Sequence, residues 1–301
     1  MPFIGIVIFI YILFKIDLGQ VLTEIWGADL LFLFGALILI LVLIIIQTIK
    51  WYMIARKQKI RVPFSVALKI NFISNFYGFI TPSKLGTLIR ADYLKKYGSF
   101  SKGITNFVID KAMDIFSLFS LAIIMGYFFK DRFNFFSWGY LIIILIVFIL
   151  LFLVFYNPKS SRLLLGFLYR HLIPKKLKDK IDVDFDSFYA DLPKKRFLIL
   201  VFGVNILTWI NTYLITYLVG LSLGINLPFV YFLAILPLAT IVAQIPITIN
   251  GLGTREAALI GLFSFFGIAA VKVFSMSILS MILASILPAI IASPLIFKKR
   301  K

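Results

Sequence analysis

The chain consists mostly of apolar runs that are long enough to cross a lipid bilayer as helices. A crossing helix needs about 20 consecutive apolar residues. Predominantly apolar stretches of about this length lie at residues 1–16, 29–54, 103–129, 135–156, 197–221 and 270–296. The pattern predicts an all-α polytopic membrane protein with about six transmembrane helices.

Two further apolar stretches, residues 64–90 and 228–267, are broken by proline and glycine. Proline ends a helix because it lacks an N–H and clashes with the preceding turn, and glycine permits tight turns. Non-helical backbone at membrane depth must be buried in protein or line a wet cavity. We expect two re-entrant pairs of half-helices, with hinges at Pro82, Gly86, Pro246, Gly251 and Gly253.

The basic residues predict the orientation of the helices. Lys and Arg are concentrated at 56–61, 84–102, 157–196 and in the tail "KKRK". By the positive-inside rule these segments are cytoplasmic, and the connections at 17–28, 130–134 and 222–227 are external. We therefore expect a multi-pass protein of the cytoplasmic (plasma) membrane with both termini in the cytoplasm.

The broken segments enter from opposite sides in this topology and have similar sequences, "FITPSKLGTLIR" (79–90) and "QIPITINGLGTREAALI" (244–260). A matched pair of interrupted segments in two halves indicates a transporter site near the bilayer midplane. The predicted organisation is one integral membrane domain, 1–301. Its parts are a first half (1–156, with 64–90), a cytoplasmic linker (157–196) and a second half (197–301, with 228–267).

Composition narrows the function classes. Apolar residues make up 61% of the chain and charged residues 15%, and the net charge is +18. The positive-inside pattern explains the charge, so no nucleic-acid partner is expected. There is no cysteine and only one histidine, His171. A lone histidine is more often a solvated surface residue than a ligand. We expect neither a metal site nor a cofactor.

The second break carries candidate binding residues. Thr254 is suited to cap the helix that follows, and the positive end of that helix faces the break. Arg255 adds a planar cation that matches phosphate oxygens, and Glu256 suits a cation, either Arg255 or an amine of a ligand. The alternative is a purely structural ion pair that pins the loop.

A second group of candidates lies in the first half. Arg90 follows Gly86 on the same helical face, although it is also placed to be an interface residue. Asp110 and Asp114 are four residues apart and share a face of their helix. Asp114 lies about 16 Å along a helix that starts near Gly103, so it should face the protein interior. The tryptophans fit an aromatic belt at the membrane surface.

The stretches "NFYGFITPSKLGTLIRADYL" (75–94), "VIDKAMDIFSL" (108–118) and "PITINGLGTREAAL" (246–259) resemble, in this order, motifs of the lysylphosphatidylglycerol synthase transmembrane-region family, also called UPF0104 membrane proteins. The opening "YILFKIDLGQVL" is similar as well. In bifunctional members this region acts as a flippase for aminoacylated phosphatidylglycerol, and a soluble domain makes the lipid. The resemblance implies that this chain corresponds to the transmembrane part.

Three functions remain. The first is a flippase or transporter of an anionic or aminoacylated phospholipid or a related amphipathic lipid. The second is an accessory membrane subunit of a lipid or polyprenyl-glycan biosynthetic enzyme, without catalysis of its own. An enzyme is disfavoured because no catalytic motif is present; the nearest acidic cluster, "DVDFD" (182–186), suits a solvated turn. We expect a membrane phospholipid or lipid-linked substrate as the partner, and the sequence specifies no oligomeric state.

Overall fold

The computed structural model describes residues 3–81, 84–130, 138–156, 193–245, 248 and 250–297. These ranges contain helices and no β-strand. The α-helices are α1 (Phe3–Lys15), α2 (Leu18–Trp26), α3 (Leu30–Lys57), α4 (Phe64–Phe79), α5 (Ile89–Leu94), α6 (Phe100–Phe129), α7 (Trp138–Tyr156), α8 (Lys195–Ser222), α9 (Phe229–Gln244), α10 (Thr254–Ser264), α11 (Ala270–Met281) and α12 (Leu287–Phe297). A 3₁₀ helix spans Leu85–Leu88, and a π-helical turn, Ile282–Ile286, joins α11 to α12. The predicted all-α polytopic class is confirmed.

Four of the described helices are long and apolar enough to cross a membrane. They are α3, α6, α8 and the continuous stretch from α11 to α12, Ala270–Ile296. Each corresponds to one of the predicted spans. The bent pair α1–α2 adds a fifth crossing if it counts as one span. Within the predicted span 135–156, α7 contains the shorter apolar helix Ile142–Leu151.

The first predicted span, residues 1–16, differs from a straight crossing. α1 has 13 residues, so at about 1.5 Å per residue it is shorter than a hydrocarbon core of about 30 Å. Asp17 then caps α2, because its carboxylate accepts hydrogen bonds from the N–H groups of Gly19 and Gln20. The chain bends by 85° at this point. The segment 17–28, predicted as an external connection, is therefore largely helical.

Both interrupted stretches break where the sequence predicts. α4 ends at Phe79, and the 3₁₀ helix packs back against it. α9 ends at Gln244, and α10, which begins ten residues further on at Thr254, packs against α9. Each break holds a non-glycine residue in the left-handed region, Lys84 (φ 55°) and Asn250 (φ 51°). The hinges Pro82 and Pro246 lie outside the described residues.

The contacts divide the chain into two compact units, which are described separately below. The first unit comprises Met1–Ile49, Phe64–Ile89 and Leu207–Lys301, and the second comprises Lys50–Pro63 and Arg90–Ile206. A cluster of Ile12, Ile16, Val21 and Phe274 lies in the core of the first unit. A cluster of Ile54, Ile109, Met113, Phe116 and Val201 lies in the core of the second.

A polar stripe runs along α6 beside the core of the second unit. Asn106 donates to the backbone oxygen of Trp51 in α3, and Ser117 lies within hydrogen-bond distance of the backbone oxygen of Phe202 in α8. Asp110 lies between them on this stripe, and polar side chains inside a membrane helix need such partners. The stripe therefore faces α3 and α8, and it positions the charged residues described next.

Candidate functional site

A cluster of charged side chains lies inside the second unit. It combines Lys50 of α3, Arg90 of α5, Asp110 and Asp114 of α6, and Asn205 of α8. The side chains of Lys50, Arg90 and Asp110 are 8%, 5% and 7% exposed. Removing charges from water is costly unless they are paired, and here each charged group has an oppositely charged neighbour.

Lys50 is at the centre of this charge cluster. Its Nζ donates hydrogen bonds to Asp114 Oδ1 at 3.2 Å and to Asn205 Oδ1 at 2.9 Å. Asp110 Oδ1 lies 3.1 Å from the same ammonium and forms an ion pair with it. The carboxylate of Asp114 thus points to the interior of the unit, as the sequence predicts. An amine of a ligand would reach these oxygens only by displacing Lys50.

Arg90 holds the other side of Asp110. Its NH2 group donates to Asp110 Oδ2 at 3.0 Å, and its guanidinium lies 5.1 Å from the ring centre of Trp51. The Nε and NH1 groups of Arg90 are buried and have no hydrogen-bond partner among the described residues. Trp51 is 1% exposed. It is therefore a core residue stacked under a cation, and its assignment to an aromatic belt was wrong.

The cluster contains three predicted residues, Asp110, Asp114 and Arg90, and two that the sequence did not predict, Lys50 and Asn205. The sequence brings Asp110 and Asp114 together by helical spacing and identifies Arg90 by its position after the first break. Lys50 was missed because it lies seven residues before the basic end of α3, Arg56 and Lys57, where a lysine is usually an interface residue. The available signal was a lysine inside a predicted transmembrane span, 29–54.

The second break is a backbone crossing in the first unit. Gly253 (φ 85°) lies against the backbone of Gly5 in α1, so that a Cβ at position 253 would overlap the Gly5 carbonyl oxygen. Gly251 (φ 77°) lies against Ala243 at the end of α9. The two glycines are required here by both their positive φ and the close packing.

Glu256 stabilises this turn. One carboxylate oxygen accepts from the backbone N–H of Gly253 at 2.6 Å, and the other accepts from the hydroxyl of Ser277 at 2.7 Å. The N-cap of α10 is Gly253, one residue before the predicted Thr254, whose hydroxyl donates to the Gly251 oxygen instead. Glu256 therefore caps the N-terminus of its own helix, α10, and links it to α11.

The expected ion pair between Arg255 and Glu256 is not present in the described part of the chain. Arg255 is half-buried, and its NH2 donates to the backbone oxygen of Ser277 at 3.5 Å. Neighbouring residues on a helix point in different directions, which separates the two side chains. The role of Arg255 in phosphate binding stays a prediction.

Replacing Gly253 with Ala should destabilise the protein by about 1–3 kcal/mol from backbone strain alone, with a further penalty from the Gly5 contact. Gly261→Ala is the matched control, because a Cβ at this position in α10 meets nothing within 4 Å. The control should be neutral or stabilising by up to about 1 kcal/mol. Thermal unfolding of the two purified variants in detergent measures the difference, and equal midpoints would show that the crossing is not tight.

The first break is fixed by a set of short hydrogen bonds. Gly86 donates its N–H to the hydroxyl of Thr81 at 2.7 Å, and the Thr87 hydroxyl donates to the Lys84 oxygen at 2.8 Å. A Cβ on Gly86 would overlap the backbone of Tyr77 in α4. Gly86 is therefore required for the chain to return along α4.

The two breaks meet at one cavity of about 50 Å³ in the first unit. Lys84 and Thr87 come from the first break and Asn250 from the second, and Gln47 and Asn75 add polar groups. The remaining lining residues are Ile40, Leu43, Ile44, Gly78, Phe79, Ala284, Ser285 and Pro288. Ala284 and Ser285 belong to the π-helical turn, a feature often found at functional sites. Arg255 and Glu256 do not line this cavity.

Known proteins are similar to this chain over most of its length. The family described as the lysylphosphatidylglycerol synthase TM region matches residues 3–292. A UPF0104 membrane protein of Methanothermobacter thermautotrophicus is 21% identical over 286 residues, which are 88% of this chain and 85% of the relative. A UPF0104 membrane protein of Methanocaldococcus jannaschii is 27% identical over 193 residues, or 62% and 77% of the two chains. With both broken helices and the charge cluster inside the matched region, this chain belongs to the lysylphosphatidylglycerol synthase transmembrane-region family.

Proposed function

We propose that the protein moves an anionic or aminoacylated phospholipid, or a related amphipathic lipid, between the leaflets of the cytoplasmic membrane. The observation that carries this proposal is the cavity at which both broken helices meet. Lys84 and Asn250, the non-glycine residues with positive φ in the two breaks, line the same space. Ligand sites at paired helix breaks are typical of membrane transporters.

The lining suits the two parts of an amphipathic lipid. The ammonium of Lys84 is a point charge for a phosphate, and Thr87, Asn250 and Asn75 offer hydroxyl and amide groups to a headgroup. The apolar side chains of α3, including Leu43, suit the start of an acyl chain. At about 50 Å³ the cavity has room for only a few water molecules, so passage of a headgroup requires the breaks to move apart.

A lipid translocation assay tests this function. The purified protein is reconstituted into vesicles that contain a trace of phosphatidylglycerol with a fluorescent headgroup-side label, and dithionite bleaches the label in the outer leaflet. We expect protein-dependent bleaching of the inner-leaflet label, beyond the level in protein-free vesicles. Vesicles with an unrelated multi-pass protein control for leakage and for disorder around any inserted protein.

A null result with the labelled phosphatidylglycerol, with its aminoacylated form and with a labelled polyprenyl phosphate would contradict transport. That outcome would favour the accessory-subunit function, in which the protein assists a biosynthetic enzyme.

We also propose that both termini are cytoplasmic, on the basis of the basic residues alone. Because the chain has no cysteine, single cysteines report sidedness directly. With a membrane-impermeant thiol reagent on intact cells, Asn226→Cys should react and Arg61→Cys should react only after permeabilisation. Both positions are exposed. Labelling of Arg61→Cys in intact cells would contradict the proposed orientation and indicate the opposite one.

A further inference from the structure

We propose that Asp110, Asp114 and Asn205 form a binding site for an ammonium-sized monovalent cation, and that the chain fills this site with its own Lys50. Oxygens of all three side chains lie 2.9–3.2 Å from Lys50 Nζ. They come from α6 and α8, whereas the ammonium comes from α3. The three residues are called the oxygen cage below.

The oxygen cage is held in place by groups other than Lys50. Arg90 binds the second oxygen of Asp110 at 3.0 Å. Lys111 lies 3.9 Å from the second oxygen of Asp114. The amide nitrogen of Asn205 donates to the Val201 oxygen at 2.9 Å, so its own oxygen faces the ammonium. The cage is therefore preorganised, and it should persist when Lys50 is shortened.

The geometry favours a monovalent cation of ammonium size. The distances of 2.9–3.2 Å from Lys50 Nζ to the cage oxygens are longer than the roughly 2.0–2.6 Å that Mg²⁺ and Ca²⁺ require from oxygen ligands. Three protein oxygens are also fewer than the roughly six to eight oxygen ligands that Ca²⁺ takes. Consistent with this, the described residues include no group of three His, Cys, Asp or Glu side chains suited to a metal.

A tethered cation has a functional consequence. A free sodium or potassium ion would occupy such a site according to its concentration on either side of the membrane, whereas Lys50 occupies it always. The ammonium can leave the oxygen cage by a change in the Lys50 side-chain conformation or by a movement of α3 relative to α6. Because Lys50 is part of the chain, its occupancy of the site does not depend on the concentration of external salt.

The test uses Lys50→Ala and n-propylammonium, which supplies the atoms that the substitution removes. The purified variant is titrated with n-propylammonium chloride, and its thermal unfolding midpoint is recorded. We expect the midpoint to rise and then saturate, because a ligand that binds only the folded state stabilises it. The wild-type protein should show no such saturable rise. Choline chloride controls for ionic strength and n-propanol for filling of the vacated space, and neither should reproduce the effect.

The charge-balanced variant Lys50→Ala with Asp114→Asn keeps the proposal testable if the single variant is unstable. It lacks one cage carboxylate, so it should fold without added cation and show less stabilisation by n-propylammonium. Recovery of folded Lys50→Ala only in the presence of n-propylammonium would support the site. Three results would overturn the proposal. The first is equal stabilisation of Lys50→Ala by n-propanol, and the second is an equal response of the wild type to n-propylammonium. The third is failure to recover the single variant with n-propylammonium while the double variant folds. No lipid movement is needed, so the result is separate from the transport proposal.

Discussion

Replacing Asp110 with Asn should lower the free energy of unfolding by about 3–5 kcal/mol, the usual cost of removing one partner from a buried ion pair. Asp110 is the only residue that forms ion pairs with both Lys50 and Arg90 in the described part of the chain. The substitution conserves shape, but it leaves Lys50 paired with Asp114 and removes the carboxylate that pairs with Arg90. Unfolding of the purified variant in detergent, followed by circular dichroism, measures the loss.

Asp92→Asn provides the matched control. Asp92 forms an ion pair with Lys95, three residues further along the chain, and the two side chains are 27% and 51% exposed. Exposed pairs contribute about 0–1 kcal/mol because water screens them, so this variant should stay close to the wild type. If the Asp110 variant is no less stable than the Asp92 variant, the charge cluster does not hold the second unit together.

Replacing Lys84 with Gln should slow lipid movement by roughly tenfold or more, since a charge-assisted hydrogen bond contributes about 1.5–3 kcal/mol and 1.4 kcal/mol corresponds to a factor of ten. Gln keeps most of the side-chain length and remains a non-glycine residue at φ 55°. The change therefore removes the charge at the cavity without altering the backbone requirement. Initial bleaching rates in the dithionite assay measure it, with equal amounts of inserted protein.

Lys84→Arg and Lys95→Gln complete this comparison. Arg keeps the positive charge and should retain much of the rate, and Lys95 is an exposed lysine outside the cavity lining, so its loss should have little effect. An equal loss of rate for Lys95→Gln and Lys84→Gln would show that general surface charge, and not the cavity, governs transport.

The sequence predicted the helix breaks well because their causes are local. Gly86 and Gly253 mark positions where the chain turns under close backbone packing, and such positions exclude most other residues. The same local reasoning placed Asp110 and Asp114 on one face of α6. These features depend on residue type and helical spacing, which are visible in the chain itself.

Partners across helices could not be predicted in the same way. In the sequence, Lys50 has the pattern of an interface lysine. In the structure, three oxygens from α6 and α8 surround its ammonium. Glu256 was expected to pair with Arg255 or with a ligand, yet it binds the Gly253 amide and Ser277 of α11. Both outcomes depend on contacts between distant segments, which helical periodicity does not specify.

The most direct test of the transport account is whether a lipid headgroup enters the cavity at which the two breaks meet. A phosphatidylglycerol with a photoreactive headgroup is mixed with the reconstituted protein, irradiated, and its adducts are mapped by mass spectrometry. We expect adducts near Lys84 and Asn250 that are reduced by excess unlabelled phosphatidylglycerol and weakened in the Lys84→Gln variant. Adducts confined to the lipid-facing surfaces of the spanning helices, unchanged in that variant, would contradict the transport account.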